Sequence, residues 1–306
     1  MDHKDLAMGG QAVIEGVMMK SPTLIVTSVR RTGGQIVSRV EPFVSLTKRH
    51  RVLGVPVVRG AVMLFEQLYQ GMRSLTYSAE VVSAGEGEIK EDKGWTQSLW
   101  AVATVVVALA AGLALFFYLP LVVASRIGVK GSIAFNVIDG AVRLAIFFVY
   151  LGALNLWKDM RRVFEYHGAE HKSIHAFEHG ETPDVESAKK YSTRHPRCGT
   201  SFLLIVMVVS IVVFIFMGRP DTVRERFLRL AVVPVIAGIS YEVTRLAGRY
   251  RSGLAMKVIS APGLALQRFT TREPSADQIE VALVALKQAV GSEDVKADVG
   301  RGKEGS

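Results

Sequence analysis

Four of the seven histidines fall within one short run, His167-Gly-Ala-Glu170-His171-Lys-Ser-Ile-His175-Ala-Phe-Glu178-His179. Side chains three and four apart share a helix face, so His167, Glu170 and His171 project together and His175 continues the row one turn on. Such a face can hold a divalent metal. The spacing His-x-x-Glu-His also fits the inverted zinc-peptidase pattern, in which two imidazoles bind zinc and the glutamate is the general base. A polar face on a surface helix gives the same spacing, so the row needs further ligands to count as a metal site. His195-Pro-Arg197-Cys198 supplies an imidazole and a thiol, both good zinc ligands. Glu242 is another candidate, because a carboxylate inside an apolar run is costly unless paired or functional. The expected ligands are therefore drawn from His167, His171, His175, His195, Cys198 and Glu242. These exceed the three or four that zinc takes, so some must lie outside the coordination shell. Glu170 is the expected base, and Arg197 or Arg245 the expected stabiliser of developing negative charge.

The elements around these residues are apolar. Residues 99–125, 133–157, 201–217 and 227–247 are each long and apolar enough to cross a hydrocarbon core of about 30 Å. Four membrane-spanning helices are predicted. The net charge of +9 is concentrated in loops, where Lys and Arg orient a membrane protein, so it is read as topological and nucleic-acid binding is not expected. Lys158, Arg161, Arg162, Lys172, Lys189, Lys190, Arg194 and Arg197 put the histidine-rich loop 158–200 on the cytoplasmic side. Both ends of the chain then share that side of the membrane. The single cysteine excludes an intramolecular disulfide framework and agrees with a reducing face. Residues 1–10 carry no apolar core, so the spans themselves are expected to direct insertion. His167 follows the second span, Cys198 opens the third and Glu242 nears the end of the fourth, so helix packing is expected to bring them together.

Outside the spans, residues 1–56 read as a small β region with strands at 12–19, 24–30 and 35–40, the last two joined at Thr32-Gly33-Gly34. Glu15 interrupts the first strand, where alternation turns it toward water or toward the site. Residues 57–94 read as an amphipathic helix suited to a membrane surface, followed by a charged linker over 85–94. The membrane domain spans 95–252. Residues 253–306 hold an apolar stretch broken at Pro262-Gly263, an amphipathic helix over 278–290 with Ile279, Leu283, Leu286 and Val290 on one side, and a polar tail from 291 expected to lack structure. Asp139 and Arg143, four apart, suit a structural pair between helices, and Glu242 could pair in the same way with Arg245.

Five segments carry a family resemblance: Gly9-Gly-Gln-Ala-Val-Ile-Glu-Gly-Val-Met-Met19, the row from His167 to His175, Tyr191-Ser-Thr-Arg-His-Pro-Arg-Cys-Gly-Thr-Ser-Phe202, Thr271-Arg-Glu-Pro and Asp277-Gln-Ile-Glu280. Together they resemble the YqhQ-like family of bacterial integral membrane proteins of unknown function, labelled as predicted metal-dependent enzymes. The resemblance implies a metal on His167, His171, His175, His195 and Cys198, and no substrate. Three readings stand: a zinc-dependent hydrolase acting on a membrane peptide or lipid, a di-iron lipid oxidase, and a non-enzymatic scaffold pinned by a structural metal. Cys198 tilts the ligand set toward zinc. The bilayer is the expected surrounding, and oligomerisation is open.

Overall fold

In the computed structural model, which describes residues 8–87, 95–196, 198–249 and 254–301, the chain is mainly helical with one small N-terminal sheet. Strands β1 (Gly9–Val13), β2 (Gly16–Lys20), β3 (Leu24–Arg30) and β4 (Ile36–Pro42) form an antiparallel meander. The stretch expected to be one strand is thus a tight hairpin, with Val13 paired to Gly16 and only Ile14 and Glu15 in the turn. Glu15 takes a left-handed φ of 52° there, which normally favours glycine or asparagine. A Cβ on Gly16 would run into the Ser28 carbonyl, so only glycine allows the close approach of β2 to β3.

The sheet is covered on both faces, and successive residues of β2 divide between them. Val17 and Met19 pack with Ile279, Leu283 and Leu286 of α12 (Ala276–Arg301) and with Ala169 and Ile174 of α6 (Lys158–Glu178). Met18 turns the other way, toward Tyr77 and Val81 of α2 (Val58–Ala84). The amphipathic face of α12 is therefore core. Glu15 is held by Arg162 in a two-pronged ion pair and accepts a hydrogen bond from the Tyr166 hydroxyl at 3.2 Å, which locks the hairpin tip onto α6.

Helix α2 confirms the helical spacing over 57–82. It buries Glu66, whose carboxylate accepts from Ser45 and from the Leu46 backbone N–H at the start of α1 (Leu46–Arg49). Its outer face leaves Phe65, Leu68, Tyr69 and Met72 exposed.

Among the described residues four helical segments are long and apolar enough to cross a membrane: Ala103–Ile127, Ser132–Leu156, Gly199–Met217 and Val223–Leu246. The first joins α3 (Trp95–Leu113) to α4 (Leu119–Ile127) through a π-helical turn just before Pro120, whose missing N–H interrupts the regular ladder. The second is α5 (Ser132–Leu156) and the third α8 (Gly199–Met217). The fourth joins α9 (Val223–Ala231) to α10 (Val233–Arg249). Asp139 and Arg143 form the expected i,i+4 pair, buried at 2.8 Å, with Arg143 also donating to Ser210. Arg229, inside the expected fourth span, is 2% exposed; it donates to Asn136 and to the Gly218 carbonyl.

Two expectations in the C-terminal part are corrected. Helix α11 (Leu254–Thr270) continues through Pro262 rather than breaking there. Gly263, where a Cβ would meet Ser201, lets the helix sit against α8 at that point. Helix α12 continues to Arg301 through the stretch expected to lack structure, in which no proline stops it. Most of the charged linker (88–94) lies outside the described residues.

Candidate metal centre

At Trp157 the backbone is extended, and the chain leaves α5 to start α6, the helix that carries the histidine row. The segment after α11 packs across this helix. The Arg272 N–H donates to the Phe164 carbonyl at 2.9 Å, and a Cβ on Gly168 would collide with the Arg272 carbonyl oxygen, so glycine is required at that crossing. Lys172, itself buried, binds Glu273 at 2.6 Å and the Lys189 carbonyl at 3.1 Å. From the other side β1 passes over the row, and the Glu170 side chain lies 2.8 Å from where a Gly10 Cβ would be. The segment before α8 meets the row through the Thr193 carbonyl at His171, the Arg194 carbonyl at His175 and Cys198 at His167.

The side chains form two groups, each with three possible ligand atoms within 4.8 Å of one another: His167, His171 and Cys198, and His175, Glu178 and His195. In the first, His167 Nε2 lies 3.2 Å from Cys198 Sγ. Tetrahedral zinc with bonds of about 2.0–2.3 Å separates such ligands by roughly 3.3–3.6 Å, so the pair sits close to coordination spacing. Both imidazoles are oriented from behind. His167 Nδ1 donates to the Thr270 carbonyl at 2.7 Å and His171 Nδ1 to the Thr193 carbonyl at 2.5 Å, which leaves each Nε2 as the ligand nitrogen. Burial pushes the His171 imidazole below its usual range, which favours the neutral, ligating form.

Glu170 adjoins this group. Its Oε2 lies 4.0 Å from His167 Nε2, is buried and has no hydrogen-bond partner, while burial pushes the carboxyl up against the opposing pull of His167 and His195. An orphaned carboxylate oxygen beside two oriented imidazoles and a thiol is what a cation at this point would satisfy. The donor set fits zinc.

The second group is linked to the first through the His195 ring, which lies 5.7 Å from His171 and 4.4 Å from His175. Gln267 clamps the His195 backbone, accepting from its N–H at 2.7 Å and donating to its carbonyl at 2.9 Å. His195 Nε2 lies 3.3 Å from Glu178 Oε2. Burial lowers the His175 imidazole to about 4.

The remaining candidates are elsewhere. Glu242 accepts from Arg59 in a two-pronged ion pair and from the Val57 N–H, which ties α10 to the start of α2 rather than to the histidines. Arg245 is exposed beside Glu242. Arg197 lies outside the described residues. The sequence reading did not include Glu178, nor the carbonyls of Thr193 and Thr270, nor Gln267. Glu178 carried a signal, its i,i+3 spacing from His175. The carbonyls carried none, since every residue has one.

Residues 55–292 match a family described as a protein of unknown function, DUF1385. The chain is 31% identical over 296 residues to the uncharacterized protein YqhQ of Bacillus subtilis (strain 168), covering 92% of each chain. The chain belongs to the YqhQ-like family. No solved structure matches it. In family terms, the resemblance read from the five segments holds, and the matched region includes α6, the 193–198 loop and α11. The family description names no reaction, so chemistry rests on the geometry.

Proposed function

We propose that this YqhQ-like protein is a metal-dependent hydrolase, with zinc held by His167, His171 and Cys198 and with Glu170 as general base. The centre would sit at the cytoplasmic face of a bacterial inner membrane and act on a membrane peptide or lipid. The observation that carries this reading is the unpartnered Glu170 Oε2, buried 4.0 Å from the His167 nitrogen that faces Cys198. A zinc ion bound there would acidify a water molecule and polarise a carbonyl or phosphoryl oxygen. Glu170 receives a proton at Oε2, and its raised affinity for protons suits a group that must accept one and pass it to a leaving group. The Thr270 and Thr193 carbonyls hold both rings in one tautomer, so the ligands need no reorganisation. The thiol favours zinc over a di-iron centre, whose ligands are imidazoles and carboxylates. The cytoplasmic assignment is supported by the basic residues of 158–197.

The test is metal loading of the detergent-purified chain followed by titration with a hydroxamate, a small chelating group that occupies an open coordination position. Wild type is expected to hold zinc and bind the hydroxamate. Glu170→Gln should keep the zinc, while His167→Ala with His171→Ala should lose it. Zinc that is retained but never accessible to the hydroxamate would overturn the hydrolase and leave a scaffold with a closed structural site. Iron in place of zinc would favour the oxidase.

A further inference from the structure

We infer that the histidine row holds a second, separate divalent metal on His175, Glu178 and His195, which fastens the segment carrying His195 to α6. The inference rests on the proposed reading of the row as a metal centre and adds a site one helical turn along it. Three features support it. The three side chains offer ligand atoms within 4.8 Å of one another, from two segments that nothing covalent joins nearby. His175 Nε2 bonds to the Arg194 carbonyl at 3.0 Å, and its buried Nδ1 has no hydrogen-bond partner. The His175 ring is held by stacking on Tyr191, at 5.9 Å and 8° between planes, so its lone pair has a fixed direction.

The donor types separate the two sites chemically. The first offers two imidazoles and a thiol, and the second two imidazoles and a carboxylate, a set that suits zinc, iron(II) or manganese. Spacing decides the role. His171 to His175 is one turn of α6, about 6 Å of rise, whereas two ions that share one reacting oxygen lie about 3.5–4 Å apart. The second ion is therefore assigned a positioning role. His195 and Cys198 are three residues apart in one loop and are directed to different turns of α6, so an ion on His195 fixes where Cys198 enters the first site. His195 is 4% exposed and already clamped by Gln267, a placement that suits a buried clasp.

The experiment is a cobalt(II) titration of the full chain in detergent after stripping with a chelator. It reads bound cobalt per chain by elemental analysis and the thiolate-to-cobalt charge-transfer band by absorption. Wild type is expected to bind two cobalt ions, with the band complete after one equivalent. His175→Ala and Glu178→Gln should each bind one, keep the band, and bind cobalt at the thiolate site about 10- to 100-fold more weakly. Cys198→Ser should abolish the band and keep one cobalt ion. A single ion in wild type, lost with Cys198→Ser and unmoved by Glu178→Gln, would overturn the second site and leave the first standing. A wild type whose bound cobalt never gives the band but falls with Glu178→Gln would overturn the first centre and keep this one.

Discussion

Glu170 is the residue on which both its chemistry and its cost to the fold can be read. Burial raises its proton affinity above the usual value near 4.5, so the metal-free folded chain keeps a proton that the unfolded chain has released. The resulting stabilisation is complete below the unfolded pKa and is lost as pH rises through the higher folded value. Glu170→Gln has no such proton. Its metal-free form is expected to gain stability relative to metal-free wild type as pH rises from about 4.5 toward neutrality. Parallel unfolding curves across that range would show that this carboxyl is not buried against Gly10. The requirement at Gly10 is steric, since its Cβ would lie 2.8 Å from the Glu170 carboxyl group.

At the scale of elements, α6 is the organising piece, and Gly168 is where the 270–273 segment crosses it. Gly168→Ala forces Thr270 and Arg272 away from the helix, and with them the carbonyl that orients His167. Overpacking at such a crossing costs about 1–3 kcal/mol, and loss of the orienting partner weakens metal binding about 10- to 100-fold. Unfolding temperature and zinc affinity should therefore fall together. A fall in stability with unchanged affinity would detach Thr270 from the metal centre. The spans and the histidine row were legible in the sequence because each is a periodic signal in the residues themselves. The β1–β2 hairpin was not, because Ile14 and Glu15 lack turn chemistry and the turn is held by Arg162 and Tyr166, far along the chain. Likewise Glu242 was recognisable as a buried-type carboxylate, but its partner Arg59 is set by how α2 meets α10. Glu178 becomes a ligand candidate only once His195 is placed beside it.

Across the whole molecule, polar groups collect at the two ends of the bundle. The histidines lie where α5 gives way to α6 and α8 begins, while Asn136 and Asp139 lie toward the start of α5, where Asn136 meets the Gly218 carbonyl just after α8 and Arg229 of α9. Asp139→Leu leaves Arg143 uncompensated among apolar helices and should cost about 3–5 kcal/mol, much of it recovered by adding Arg143→Met. Unfolding of both variants in detergent measures this; equal losses in the single and double variants would show that the pair is not the source. The two networks are separated along the spans, so zinc binding should be unchanged in the double variant. The proposed metal centre draws on residues 10, 167–178, 193–196, 198 and 267–273. Ribosomes make a chain from its N-terminus, and the Thr270 carbonyl that turns His167 toward Cys198 emerges only after all four spans. Until then the imidazoles and the thiol are present without the contacts that select their ligand atoms, so under the proposed reading metal would be acquired only at the last stage of the protein's biogenesis.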